Sequence, residues 1–276
     1  MAIGFSKMHG AGNDFVLLDL RAGQIVPDAK LARAMGNRHT GIGFDQLLSI
    51  ENSAREDCVA RYRIWNSDGS LAQQCGNGAR CVAAWLLRDG AATPPRFRLD
   101  SPAGVIEVDC LSDGRLALDM GSPKFRPAHI PFASAMEHPA YELNTDGEVL
   151  RFGAVSMGNP HALIVVDDIA KAPVDEIGPW LQGHASFPEG VNVGFAQIVS
   201  RGEINLRVYE RGAGETLACG SGACAAVAVL VRQGRLDRCV DVHLPGGTLA
   251  IEWPSDSAAV RMAGPASFVF EGEWLG

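Results

Sequence analysis

Residues 73–80 read QQCGNGAR, and residues 217–224 read LACGSGAC. Both contain Cys-Gly-x-Gly-Ala, so Cys75-Gly76-Asn77-Gly78-Ala79 falls on Cys219-Gly220-Ser221-Gly222-Ala223 with a shift of 144 residues. The match extends outward: RIWN (63–66) falls on RVYE (207–210), placing Asn66 over Glu210, and Arg88-Asp89-Gly90 falls on Arg232-Gln233-Gly234. After drifts of a residue or two, such as loop changes produce, SPAGVIEV (101–108) resembles LPGGTLAI (244–251) and GNDFVLL (12–18) resembles GNPHALI (158–164). A period this long is not that of a solenoid; it indicates a duplicated domain.

Each half reads as strand, loop, Cys-Gly cassette, helix, then strands. ARYRI (60–64) and INLRV (204–208) alternate apolar and polar residues, the pattern of a strand with one buried face. Each cassette runs into an apolar stretch, VAAWLL (82–87) or AAVAVLV (225–231), and a glycine suited to stopping a helix follows, Gly90 or Gly234. A helix that is apolar on nearly every side must be enclosed by protein. The expected fold class is therefore α+β, with two pseudo-symmetric duplicated domains, each a barrel-like sheet wrapped around a central helix. PDAKLARAMGN (27–37) reads as a separate surface helix, with Pro27 near its start and Gly36 near its end. The boundary is placed at the Pro-containing stretch GSPKFRPAHIP (121–131), giving halves 1–120 and 121–264, with the tail 265–276 expected to join the first half.

The composition narrows the function. The chain has 276 residues, 47% of them hydrophobic, enough for two cores of ordinary size. A net charge of −8 with scattered arginines and no basic stripe argues against a nucleic-acid partner. No apolar run approaches the ~18 residues that a membrane span requires. The start MAIGFSKMHGAGNDF lacks the basic-then-apolar pattern of a secretory signal, so a cytoplasmic location is expected. The seven cysteines (Cys58, Cys75, Cys81, Cys110, Cys219, Cys224 and Cys239) are accordingly expected to be reduced, most of them as small buried apolar residues.

Cys75 and Cys219 differ from the rest because each precedes a Gly-x-Gly turn opening a helix. Unpaired N–H groups and partial positive charge at a helix start favour a thiolate and can hold a carboxylate. A purely structural cysteine is the plain alternative for either cassette alone. A zinc site built from Cys75/Cys81 and Cys219/Cys224 is disfavoured, because separations of six and five residues at about 100° per residue point the partners to different faces. Two copies of the cassette suit proton transfer at a stereocentre. In the arrangement this predicts, two thiols would face one another across a shared cleft, one removing a proton from a carbon and the other returning one to its opposite face, with no metal and no cofactor. Two such thiols are also open to oxidation to a Cys75–Cys219 disulfide.

Together, FSKMHGAGNDF (5–15), RHTGIGFDQLL (38–48), NSDGSLAQQCGNGARC (66–81), GNPHALIVV (158–166), FPEGVNVGF (187–195) and YERGAGETLACGSGACA (209–225) resemble the diaminopimelate epimerase family. The resemblance runs from residue 5 to about 253, with Ser221 where threonine is common. It implies a pyridoxal-independent, cytoplasmic, homodimeric isomerase interconverting LL- and meso-diaminopimelate in lysine and cell-wall precursor synthesis. It also implies Cys75 and Cys219 as the two bases, with His161 and Glu210 tuning them. Gly76, Asn77, Gly220 and Ser221 would supply donors to the reacting carboxylate. Asn13, Gln46, Asn66, Asn159, Asn192, Glu210 and Arg211 would hold the substrate. The residue chemistry agrees: amides and Arg211 suit carboxylates and Glu210 suits an ammonium group, as a diamino dicarboxylic acid requires. Three rival readings remain: a proline or hydroxyproline racemase, a thiol hydrolase with Cys219 as nucleophile and His161 as base, and a non-catalytic amino-acid-binding module.

Overall fold

In the computed structural model, which describes residues 2–24, 26–145 and 147–276, the chain divides into two compact units. One comprises Met1–Asp119 with Ala263–Gly276, the other Met120–Met262. In the first, β1 (Ile3–Gly10) and β2 (Asn13–Asp19) form a tight antiparallel hairpin. Its two turn residues, Ala11 and Gly12, both have positive φ, the geometry that matches the twist of a two-residue hairpin. The chain crosses through α1 (Ala29–Gly36) to β3 (Gln46–Glu51), which lies parallel to β2. The strand β4 (Ala60–Asn66) pairs antiparallel with β3 and with the short β5 (Leu71–Ala72). After α2 (Gly76–Asp89), β6 (Arg96–Ser101) returns parallel to β4, and β7 (Gly104–Cys110) and β8 (Leu116–Asp119) follow as antiparallel neighbours.

The second unit repeats this order of steps. After β9 (Tyr141–Asn144), the strands β10 (Val149–Ser156) and β11 (Pro160–Val165) form the antiparallel hairpin. A crossover through α3 (Val174–Gln182) leads to the parallel β12 (Asn192–Ser200). The strands β13 (Glu203–Glu210) and β14 (Gly214–Thr216) follow antiparallel. After α4 (Gly220–Arg232), β15 (Cys239–Leu244) returns parallel to β13 and pairs with β16 (Gly247–Glu252). The last strands are β17 (Arg261–Gly264) and β18 (Ser267–Trp274), and β18 pairs antiparallel with β1. The repeat holds at the level of register: Phe15 faces Gln46 in one parallel ladder and His161 faces Asn192 in the other. Likewise Ser101 faces Gly104 and Leu244 faces Gly247 at the two later hairpins.

A cysteine caps the start of each central helix in extended conformation, and a left-handed glycine ends it: Gly90, with φ 78°, for α2 and Gly234, with φ 71°, for α4. The helix α4 lies against β10, β11, β12 and β16, and Gly222 through Leu230 are all buried. Three of these, Val227, Val229 and Leu230, are branched aliphatic side chains, and burying such groups contributes about 1.5–3 kcal/mol each. The helix α2, packed on β1, β2, β3 and β8, differs from the all-round burial expected of it. Asn77 to Ala83 and Leu86 are buried, but Trp85 and Leu87 are only half-buried and Arg88 and Asp89 are exposed: Trp85 turns its indole N–H to Ser6 Oγ, and Arg88 reaches Glu271. The surface helix α1 is capped by the Asp28 carboxylate, which accepts the Leu31 N–H, and buries Ala32 and Met35 against a cluster containing Val16, Leu18, Phe44 and Trp65. Among the described residues no helix is long and apolar enough to cross a membrane.

Close approach of a sheet to a central helix is legible at Gly153 on β10, where a Cβ would lie 2.3 Å from Val229 Cγ1 on α4. Val229 is β-branched and has little rotamer freedom in a helix to move aside. Gly153→Ala is therefore expected to destabilise the second unit by about 1–3 kcal/mol, read as a lower urea midpoint at unchanged m-value.

Candidate active site

In the first unit the cassette sits where α2 begins. Cys75 Sγ accepts the Gly78 N–H at 3.4 Å, so the thiol itself serves as the side-chain cap. Cys75 Sγ lies 3.7 Å from Asn13 Oδ1 at the start of β2, and Asn77 Nδ2 donates to the same oxygen at 3.3 Å. On the neighbouring strands Gln46 and Asn66 are direct cross-strand partners, and Gln46 Nε2 donates to Asn66 Oδ1 at 2.9 Å. Gln46 Oε1 is buried with no hydrogen-bond partner among the described residues, an acceptor that a ligand N–H would satisfy. Gly76, whose small size admits a close approach, is the first residue of the helix.

In the second unit, Asn159, His161, Ser221 and Cys219 form a connected group. His161 is 2% exposed, and its Nε2 lies 3.0 Å from Asn159 Oδ1 and 3.1 Å from Ser221 Oγ. Burial, reinforced by the nearby Arg211 charge, holds the imidazole pKa down at about 3, so the ring is neutral at physiological pH. Asn159 Oδ1 can only accept, which places the ring proton on Nε2. Asn159 Nδ2 donates to Ser221 Oγ at 3.4 Å, and Ser221 Oγ lies 3.6 Å from Cys219 Sγ, a contact in which either group can donate. Cys219 is 4% exposed; burial and the Glu210 carboxylate push its thiol well above the ordinary range, against weaker opposing pulls from Ser221 and the Gly222 N–H. Cys219 is thus a neutral thiol in this state. Glu210 accepts a hydrogen bond from Thr216 Oγ1. Asn192 uses both ends of its amide internally: Oδ1 accepts the Arg211 N–H at 2.9 Å, and Nδ2 donates to Pro160 O at 3.0 Å. Arg211 is exposed, with Nη1 anchored on Glu189 O at 2.7 Å. Gly220 opens α4, and a Cβ on Gly222 would meet Val208 Cγ2 at 3.1 Å and Cys219 Sγ at 3.2 Å, close enough to displace the sulfur by a few tenths of an ångström.

The duplicated backbone carries unlike chemistry. Where one unit has Phe15, Asn66, Asn77 and Arg80, the other has His161, Glu210, Ser221 and Cys224. Three residues here escaped the reading of the sequence: Thr216 on Glu210, Gly78 as the N–H donor to Cys75, and the fully buried Arg80, which donates to Asn77 Oδ1 at 2.7 Å. Arg80 did leave a signal, as a cation in the buried part of an otherwise apolar helix. Cys81 and Cys224 are buried on the helices, His9 Nδ1 braces the β1–β2 turn by accepting the Gly12 N–H at 3.4 Å, and no disulfide joins any of the seven cysteines.

The family model described as diaminopimelate epimerase matches residues 5–126 and 153–269. The chain is 59% identical over 271 residues to a diaminopimelate epimerase of Xanthomonas axonopodis pv. citri (strain 306), covering 98% of this chain and 95% of that one. It is 57% identical to a diaminopimelate epimerase of Xylella fastidiosa (strain M12), covering 99% and 96%. Among solved structures it resembles a hydroxyproline epimerase from Agrobacterium vitis, with a TM-score of 0.69, 16% identity and coverage of 99% and 92%. A Bacillus anthracis phenazine biosynthesis protein is as similar in fold, with a TM-score of 0.69, 14% identity and coverage of 100% and 99%. At such identities these two structures speak to the fold alone, and they bear out the α+β class and its duplicated, barrel-like halves.

The depressed pKa of His161 has a consequence for stability. Above the unfolded value of about 6.5, neither state protonates the ring and its contribution is complete. As pH falls from there toward 3, the unfolded chain takes up the proton first and stability is lost. His161→Phe, which installs the residue found at the equivalent place in the first unit, is expected to flatten this slope in urea unfolding between pH 7 and pH 5. It should also cost about 1–3 kcal/mol at pH 8, because Asn159 and Ser221 lose a partner.

Proposed function

Because the chain belongs to the diaminopimelate epimerase family, we propose that it interconverts LL- and meso-2,6-diaminopimelate, with Cys75 and Cys219 as its two acid–base groups and without pyridoxal phosphate or metal. The observation that carries this reading is that each cassette presents a thiol at the N-terminus of a central helix, beside backbone N–H donors.

On this reading one sulfur, as thiolate, takes the α-proton, and the electron pair left on carbon delocalises into the substrate carboxylate. The other sulfur, as thiol, delivers its proton to the opposite face and becomes the thiolate. The stereocentre inverts, no net proton is gained or lost, and the reverse reaction swaps the roles. Burial and Glu210 favour Cys219 as the proton donor of the resting protein. That leaves Cys75, whose sulfur accepts a backbone N–H, as the first base. Donors to the reacting carboxylate come from Gly76, Asn77, Gly220 and Ser221, and helix N-termini meet the developing charge without reorganisation. Asn13, Gln46, Asn66, Asn159 and Asn192 bind the remaining polar groups, with Arg211 suited to a carboxylate and Glu210 to an ammonium. His161 acts on Cys219 through Ser221, as a neutral hydrogen-bonding ring. A group with a pKa of about 3 is a poor general base at neutral pH, which counts against the thiol-hydrolase reading. The same reading makes the protein a cytoplasmic homodimer acting in lysine and cell-wall precursor synthesis.

Incubation in deuterated water with diaminopimelate, proline or hydroxyproline tests the substrate. Deuterium is expected at the α-carbon of diaminopimelate; exchange into proline or hydroxyproline alone would overturn the assignment. Cys75→Ala and Cys219→Ala are each expected to lower epimerisation by at least about 10²–10⁴-fold. A Cys75→Ala protein retaining most of its turnover would refute a two-thiol mechanism.

A further inference from the structure

The amides of Asn13 and Asn77 beside Cys75 lie head to tail between two charged residues of opposite sign. At one end Asn13 Nδ2 donates to Asp45 Oδ2 at 2.8 Å. At the other, Arg80 Nη2 donates to Asn77 Oδ1 at 2.7 Å. Between them Asn77 Nδ2 donates to Asn13 Oδ1 at 3.3 Å. A carboxylate can face only the NH₂ end of an amide, and a guanidinium only the oxygen, so chemistry fixes both orientations. Each charged anchor is itself held. Asp45 Oδ2 also accepts the Asp14 N–H at 3.1 Å, and its Oδ1 accepts Arg38 Nη2 at 2.8 Å. Arg80 is fully buried in α2, and its Nε donates to Pro265 O at 3.4 Å.

We propose that Asp45 and Arg80 are positioning residues for Cys75. Together they hold the two amides so that Asn13 Oδ1, and not its NH₂, faces the sulfur. An acceptor at 3.7 Å receives the S–H and favours the thiol, whereas the Gly78 N–H on the same sulfur favours the thiolate. The balance between these two contacts sets how readily Cys75 gives and takes a proton, and the Asp45–Arg80 pair keeps one side of it in place. The second unit has no such pair: Val191 stands where Asp45 would be and Cys224 where Arg80 would be, and its amide Asn159 is oriented by His161 instead. The two thiols are thus poised by different devices on the same backbone.

The other charged or titratable groups around Cys75 leave this assignment intact. Tyr62 on β4 and Cys81 on α2 are both buried, and burial pushes both up, so they stay neutral. Asp14 on β2 is ionised: burial pushes its carboxyl up, but hydrogen bonds from Arg38 and Lys7 outweigh this and hold it at about 2. Asp14 and Asp45 are both met by Arg38, and Lys7 on β1 pairs with Asp14. The influence of Asp45 on Cys75 therefore runs through the orientation of Asn13 more than through bare charge.

The assignment rests on Cys75 being a reacting thiol, and its test needs no substrate. The full-length protein is alkylated with iodoacetamide across pH 6–10, and modification of Cys75 is followed by peptide mass spectrometry. Asp45→Ala releases Asn13 Oδ1 from the sulfur and is expected to speed labelling of Cys75 at pH 7.5 by about threefold to tenfold, a shift of half to one pH unit. Asp45→Asn, which can still accept from Asn13, should stay within about twofold of the parent protein. Arg80→Met frees the Asn77 amide that holds Asn13 Oδ1 in place and is expected to speed labelling too, by less than Asp45→Ala because loss of a buried cation opposes the shift, with Arg80→Lys returning it toward the parent protein. Unchanged labelling in Asp45→Ala, equal effects of Asp45→Ala and Asp45→Asn, or slower labelling in Arg80→Met than in the parent protein would each overturn the proposal. If Arg80→Met fails to fold, the two Asp45 variants decide it. Absence of deuterium exchange into diaminopimelate would reject the substrate without touching this result.

Discussion

The structure depends on burying a helix that starts with a sulfur. In each unit a strand ends, a cysteine in extended conformation caps the next helix, and the sheet packs along that helix. The first-turn N–H groups of such a helix have no intrahelical carbonyls to meet. Here the N–H of the third residue after the cysteine turns toward the sulfur, at 3.4 Å for Gly78, and Gly222 contributes likewise beside Cys219. Enclosing the helix fixes where that sulfur lies, because the axis cannot shift without disturbing strands on several sides. The close approach of Gly153 to Val229 indicates how little slack the second unit leaves.

A backbone used twice need not carry the same charges twice. The ladders β2–β3 and β11–β12 share register, yet the first presents Phe15 where the second presents His161. Asn66 is exchanged for Glu210 and Arg80 for Cys224. One thiol consequently sits beside oriented amides and a backbone donor, and the other beside a carboxylate, a serine and a neutral histidine. The proposed two-thiol reaction, which begins with one group deprotonated and the other protonated, calls for such a difference, and divergence at a few positions of a duplicated backbone produces it without altering the fold.

The reading of the sequence went far because the repeat is strong. The cassettes, the strand alternation at 60–64 and 204–208 and the stop glycines each had a local physical cause, and each appears in the structure. The burial of α2 was read too broadly: Trp85 and Arg88 lie on one face near its C-terminal end, and their polar ends reach Ser6 and Glu271, which are remote in sequence. Asp45 and Thr216 carried no local mark, because an exposed aspartate in a loop and a threonine before a cassette are ordinary until their partners are seen.

The sequence by itself determined the duplication, the α+β class, the two thiols at helix starts and the family to which the chain belongs, since each is written in short-range pattern or in the order of motifs. Only the tertiary structure decided which way the amides point, that His161 is neutral, and that Cys219 is held as a thiol. The reason is that ionisation and amide orientation depend on burial and on contacts between residues as far apart as Asn13 and Asn77 or His161 and Ser221. Such contacts exist only once the strands and helices have packed.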